Sequence, residues 1–275
     1  MRKFLYTYII IGVAMLVASC SDMDDNERFT YVKPAPVARC VLLEDYTGQL
    51  CINCPNAAGV IDQIHEVYGD NVIAVGIHGG RLSLPSELSD LGLATTEGEE
   101  YYNNAGMPSQ PSGRINRKGI PSTIDSWQSL VATEIEKTAP VSLALAAGYD
   151  ADSRTVSVSV DAKGVDGNVN GKLQLWIIED NIVAPQNQPD GSMKMDYIHN
   201  HVFRGSINGT WGEDFTIAEG AEKNITANAV LKANWKPEDC SIVAFVYDST
   251  GVLQAAKVSL VVNDDDNAGD NEDNE

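Results

Sequence analysis

Glu44-Asp45-Tyr46-Thr47-Gly48-Gln49-Leu50-Cys51-Ile52-Asn53-Cys54-Pro55 is the stretch whose reading decides the fold. It joins an apolar run, Val41 to Leu43, that reads as a buried strand, to an amphipathic segment, Ala57 to Tyr68, that reads as a helix. The two cysteines therefore fall at the helix start. Free backbone N–H groups and the positive end of the helix dipole favour a thiolate there, which predicts a lowered pKa at Cys51 and a nucleophile. If the domain exchanges disulfides, Cys51 is expected to be the sole exposed, low-pKa thiol after mild reduction, with Cys54 one turn deeper against Asp45. Two other uses of the spacing are half of a zinc site and a static structural disulfide. No second C-x-x-C or H-x-H follows at zinc-ribbon spacing, so no metal or cofactor is expected.

Further residues match by spacing. Asp45 lies in the strand before the cysteines, and Gln110-Pro111-Ser112-Gly113-Arg114-Ile115-Asn116-Arg117-Lys118-Gly119 lies downstream. Together with Cys51 and Cys54 these segments resemble the thioredoxin pattern. The resemblance implies that Asp45 is a buried carboxylate exchanging a proton with the second cysteine. It also implies that Pro111 is a cis-proline, beside which an extended peptide could pair. Leu50 stands where that pattern has an aromatic residue, Ile52-Asn53 where it has Gly-Pro, and Arg114 interrupts a normally apolar strand.

A second resemblance covers nearly the whole mature chain. Val41 to Gly48, Cys51 to Pro55, Tyr68 to Ile73, Tyr197-Ile198-His199-Asn200-His201-Val202 and Asn208-Gly209-Thr210-Trp211-Gly212 are similar to the Omp28-related lipoproteins, a Bacteroidetes outer-membrane family. That resemblance implies a thioredoxin-like domain followed by an antiparallel, immunoglobulin-like β-sandwich, an α/β plus all-β chain anchored in the cell envelope. Adhesion or surface binding is the role proposed for such proteins.

The remaining segments fit around this frame. Arg2 and Lys3, the apolar run Phe4 to Leu16 and the small residues before Cys20 read as a signal peptide over residues 1–19. Leu16-Val17-Ala18-Ser19-Cys20 looks like a lipobox, which predicts lipid on Cys20 and membrane attachment through acyl chains. Residues 20–36 form a linker. Its acidic run, Ser21 to Glu27, resembles a signal for the outward face of the outer membrane, or else is a solvated tether. The thioredoxin-like domain is expected over 37–139. In it, Asn71 to His78 reads as a central strand ending in His78, which faces the cysteines or is an ordinary polar strand end. Gly79 to Tyr102 reads as an insertion, and Ser122 to Glu136 as a helix with Ile124, Trp127, Leu130, Val131 and Ile135 on one face.

From Val141 the apolar period becomes two, as in Val156, Val158, Val160 and Leu173, Leu175, Ile177, which predicts a sandwich of about seven strands over 140–262. His199 and His201 at i and i+2 could share a metal, or belong to a polar strand edge. Cys40 and Cys240 are either a pair or two buried thiols. Residues 263–275 are too acidic to pack and read as a disordered tail.

A net charge of −20 excludes nucleic acid as a partner. The expected partners are the membrane, through Cys20, and a protein or peptide. Two functions are consistent with these features. One is a surface binding or adhesion module in which the C-x-x-C is a fixed staple. The other is a thiol-disulfide oxidoreductase of the envelope using Cys51, Cys54, Asp45 and Pro111.

Overall fold

The computed structural model describes residues 33–260. The signal peptide, Cys20, the acidic run after it and the acidic tail lie outside the described residues. Among those described, no helix is long and apolar enough to cross a membrane.

Two apolar runs form the centre. Strands β2 (Val41–Thr47) and β3 (Val72–His78) are buried at every position, and they pair in parallel from Val41 opposite Val72 to Thr47 opposite His78. Such runs are continuous rather than alternating because both sheet faces are covered. The crossover between them is helix α1 (Cys54–Tyr68), which carries Pro55 in its first turn and buries Cys54, Ala57, Ile61 and Ile64. A proline there loses no hydrogen bond, since the first N–H groups of a helix have no partner in it. Helix α1 packs with helix α3 (Trp127–Ile135) on one face of β2 and β3, against Val41, Leu43, Val72 and Ala74. Of the five apolar residues expected on one face of α3, Trp127 and Val131 are buried and Ile124 and Ile135 partly so, but Leu130 is turned toward solvent.

Strand β4 (Ser112–Ile115) pairs antiparallel with β2, so that Tyr46 faces Ser112 and Asp45 faces Gly113. Between β3 and β4 the expected insertion contains the helix α2 (Thr96–Asn104), capped by the Thr95 hydroxyl accepting from Gly98 N–H. Short strands β1 (Val37–Ala38) and β5 (Thr138–Ala139) pair with each other before and after this region.

After residue 140 the alternation produces antiparallel ladders. Strands β6 (Val141–Asp150), β7 (Thr155–Gly164) and β13 (Glu222–Val230) make one sheet, ordered β13-β7-β6. It packs Val156, Val158 and Val160 against Leu173, Leu175 and Ile177 of β8 (Val169–Glu179) and Ile242, Ala244 and Val246 of β14 (Cys240–Asp248). Strand β8 also pairs with β11 (Val202–Ser206) and β12 (Glu213–Ile217), and β14 with β15 (Gly251–Ser259). Among the described residues ten strands follow residue 140, where about seven were expected. The difference includes β9 (Ile182–Asn187) and β10 (Met193–His199), a polar hairpin with little apolar alternation to read.

The change of pattern at residue 140 does not end the sheet. Strand β11 lies between β8 and β3: Val202 pairs antiparallel with Glu179 and parallel with Gly76, and Gly76 N–H donates to His201 O at 2.8 Å. The result is one mixed sheet of eight strands, β15-β14-β8-β11-β3-β2-β4 with β12 beside β8. Its second face is a single core in which Tyr46, Val75 and Ile77 meet Trp176, Ile178, Phe203, Val243 and Phe245.

Candidate functional site: a clamped disulfide beside an uncharged cavity

Between β2 and α1 the chain makes a tight turn that only glycine fits. A Cβ on Gly48 would collide with the Leu82 carbonyl, the same oxygen that accepts from Leu50 N–H at 2.8 Å. Cys51 and Cys54 follow, joined in a disulfide with Cα atoms 5.5 Å apart. In this disulfide form Cys51 is 3% exposed and Cys54 4%. What faces solvent is the dipeptide between them, with Ile52 46% exposed.

The cover comes from β9. Gln186 Nε2 donates to Cys51 O at 2.8 Å, and Asn187 Nδ2 to Leu50 O at 2.9 Å. Asn187 N–H donates to Gln49 O at 2.8 Å. Gln49 is fully buried and ties the same turn to the insertion: its Nε2 donates to Leu91 O and Pro185 O, and its Oε1 accepts from Leu93 N–H. The carbonyls of Gln49, Leu50 and Cys51 thus find backbone or side-chain donors on β9, as buried polar groups require.

Beneath the disulfide is a cavity of about 160 Å³, lined by Asp45, Cys54, His78, Tyr197 and His199 among others. Asp45, Gly76 and His78 share the α1 side of the sheet because the register sets Asp45 against Gly76 and Thr47 against His78. Asp45 is buried and its Oδ1 has no hydrogen-bond partner. Burial raises its pKa to about 8. His78 has no partner at either ring nitrogen, and His199 none at Nε2. Burial, then the neighbouring His199, holds His78 well below its ordinary value. Burial lowers His199 to about 4. Burial thus pushes Asp45, His78 and His199 toward their uncharged forms, while Asp62 and His201 also line the wall.

His199 and His201 do not come together. His199 stands edge-on to His78, with ring centroids 5.7 Å apart. His201 stands edge-on to His65 at 5.2 Å, with its Nδ1 3.0 Å from Asp180. Among the described residues no group of three or more His, Cys, Asp or Glu side chains is placed to hold a metal. Cys40 and Cys240 are both free, and burial raises each to about 12. The Gln110-Pro111 peptide is cis, and it enters β4 next to the end of β2. Gln110 Nε2 donates to Gly79 O at 2.9 Å and to Thr47 O at 2.5 Å.

The profile of a family described as Outer membrane protein Omp28 matches residues 98–264. The chain belongs to the Omp28 family. That match holds Pro111, the β9–β10 hairpin and the 208–212 turn, whereas the two cysteines precede it. Among solved structures, this family member is similar to HBP35 of Porphyromonas gingivalis at 18% identity, over 83% of this chain and 77% of that one, with a TM-score of 0.63. At that identity the likeness is one of fold. It is also similar to a domain of the outer membrane lipoprotein Omp28 from Porphyromonas gingivalis at 28% identity, over 44% of this chain and 88% of that one, with a TM-score of 0.33. No curated protein matches the sequence.

The fold of this Omp28 family member thus places Asp45 and Cys54 on one cavity and adds His78, His199 and Tyr197 to them. Gln49, Gln186 and Asn187 are the functional residues that sequence reasoning missed. Gln186 and Asn187 act on a turn some 135 residues away, in a strand whose polar residues carry no signal of their target.

Proposed function

We propose that the chain is a lipid-anchored, outward-facing binding module of the outer membrane, in which Cys51–Cys54 staples a turn rather than turning over. The clamp of Gln186 and Asn187 on the cysteine turn carries this reading: a cysteine 3% exposed beside a bonded strand is closed to an incoming thiolate. A thioredoxin-like half spanning 37–139 and an immunoglobulin-like sandwich spanning 140–262 describe the two patterns within the one unit. The β2-α1-β3 crossover, the cis-proline before β4 and the sheet of β6, β7 and β13 facing β8 and β14 support that description. Cys20 is the anchor in this reading, and a fatty-acid analogue should label the wild type and not Cys20→Ala. Replacing Asp22, Asp24 and Asp25 by Ala should reduce antibody access on intact cells at unchanged total protein.

Asp45 supports a second reading. An unpartnered carboxyl with a pKa of about 8, on the same cavity as Cys54, can exchange a proton with that thiol near neutral pH. In an exchange reaction Cys51 thiolate would attack a substrate disulfide and release one substrate thiolate. Cys54 thiolate would then attack Cys51 sulfur, release the second and reform the protein disulfide, its proton passing to Asp45. The measurement that separates the readings is the reduction potential with alkylation of the reduced protein. A staple has a potential below about −300 mV and resists reduction by glutathione. An intermediate potential, Cys51 alkylated near pH 6, and client proteins trapped by Cys54→Ser would instead establish exchange.

A further inference from the structure

The opposite face of β2 carries a second cavity, of about 280 Å³, that the disulfide site does not use. The polar groups of its floor are committed to one another. Arg117 donates from Nε to Glu44 Oε1 at 2.8 Å, and its guanidinium carbon lies 4.7 Å from the ring centroids of Phe245 and Tyr247. Arg114 donates from Nη2 to Arg117 O at 2.9 Å and meets the Tyr46 hydroxyl, which itself donates to Glu44. Arg114 Nε and Arg117 Nη2, which have no acceptor, are buried out of a ligand's reach. Tyr101 OH accepts from Trp176 Nε1 at 2.9 Å and donates to Thr210 O, and Tyr247 OH donates to Trp211 O at 2.6 Å. Among the lining residues two arginines are balanced by two carboxylates, Glu44 and Asp248. A charged ligand would therefore bring a charge that nothing in the wall is left to balance.

The groups that remain open are at the mouth, on three separate segments. Asn104, the last residue of α2, and Ser249, between β14 and β15, are exposed, and among the described residues their side chains have no hydrogen-bond partner. Asp248 accepts at Oδ1 from the N–H and hydroxyl of Thr250, which leaves Oδ2 unused. Trp211 is 39% exposed, edge-on to Tyr101 with centroids 5.1 Å apart. An edge-on contact covers at most one face of the indole. Because Tyr247 and Tyr101 fix the 210–211 backbone, that flat apolar surface is presented with little ordering left to do. The open hydrogen-bonding set is mixed: the amide and the hydroxyl donate and accept, the carboxylate oxygen only accepts, and the indole N–H only donates. Hydroxyl groups, which both donate and accept, meet such a set without adding charge, and a C–H face beside them fits the indole.

We propose that this cavity binds a neutral sugar ring, its hydroxyls on Asn104, Asp248 and Ser249 and its C–H face on Trp211. The volume, close to the lower end of ordinary ligand pockets at about 300 Å³, suits a single ring. The site is independent of whether the disulfide turns over.

The test is a ligand-observed NMR titration of the folded protein with the methyl glycosides of glucose, galactose, mannose and N-acetylglucosamine. At least one should bind saturably, and about tenfold or more tightly than cyclohexanol, which keeps a six-membered ring and loses the hydroxyl set. The uronic acid and the amino sugar of the same configuration should bind no more tightly than that glycoside. Trp211→Ala should weaken it about tenfold at an unchanged thermal midpoint, and Trp211→Tyr, which keeps an aromatic face, should restore most of the loss. Asn104→Ala, at an exposed position where folding is not at stake, should weaken it severalfold. No saturable binding in the series, cyclohexanol as tight as the glycosides, tighter binding of either charged sugar, or wild-type affinity in both alanine variants would each overturn the proposal.

Discussion

Glu44 and Asp45 are neighbours on one strand, both buried, and they meet opposite fates because successive side chains leave a strand on opposite faces. Glu44 accepts from Arg117 at 2.8 Å and from the Tyr46 hydroxyl at 3.4 Å. Asp45 has no partner at Oδ1, and burial moves it up to about 8. Near-equal burial thus leaves a carboxylate paired with a guanidinium on one face and a proton-holding one on the other. The cation across the gap decides between them, and the sheet supplies it on one side only.

The largest expected effect lies on the paired face. Arg117→Met leaves Glu44 buried without its cation and should cost about 3–5 kcal/mol in denaturant unfolding. A cost below about 1 kcal/mol would mean that water or another group satisfies Glu44, and the contrast between the faces would lose its basis.

On the other face the sign reverses. The folded protein holds the Asp45 proton up to about 8, while the unfolded chain releases it near the ordinary 3.8. Stability therefore falls as pH rises between these values, and the penalty is complete above 8. Asp45→Asn should raise stability by about 2 kcal/mol at pH 9 and leave it nearly unchanged at pH 4. A pH-independent change, or a loss at pH 9, would show that the carboxylate has a partner when ionised.

The clamp provides a smaller test. Gln186→Ala removes the donor to Cys51 O and should cost about 1–2 kcal/mol. A small dithiol should then reduce Cys51–Cys54 severalfold faster. Unchanged reduction kinetics would mean that the strand does not gate the sulfurs, and the staple reading would weaken accordingly.

Much of this contrast was legible in the residues. The apolar runs 41–43 and 71–78 marked buried strands, the helix began at the cysteines, Asp45 stood on the strand before them, and the 110–111 peptide is cis. The cover over Cys51 was not legible because it depends on Gln186 and Asn187, and local pattern says nothing about a polar side chain's distant target. The sheet's continuity was hidden for the same reason: β11 inserts between β3 and β8 with only five residues. Arg114 stood out as an anomaly in an apolar strand; the structure satisfies it at Arg117 O and the Tyr46 hydroxyl, partners that strand periodicity does not reveal.

The histidines give the finest test of the uncharged face. Burial depresses His199 to about 4 from an ordinary 6.5, and His78 beside it moves in the same direction. The unfolded chain takes up these protons first, so stability is fully present above about 6.5 and falls as pH drops toward 4. Asp45 acts in the opposite sense, since its penalty fades over the same acid range. Asp62 and His201 also line the cavity and are unchanged by a substitution at 199. His199→Gln should therefore flatten the acid limb, recovering about 1 kcal/mol at pH 4.5 relative to pH 7. In an Asp45→Asn background that also carries His78→Gln, the same substitution should leave a flatter profile from pH 5 to pH 9, because the three buried cavity groups with displaced values are then gone. An acid limb unchanged by all three substitutions and confined below about pH 4.5 would assign it to carboxylates with depressed values, such as Glu134, where burial opposes ionisation but Lys118, Lys137 and Asn116 hold the pKa at about 2. The pH dependence would then belong to the paired groups, and the cavity would be electrostatically silent.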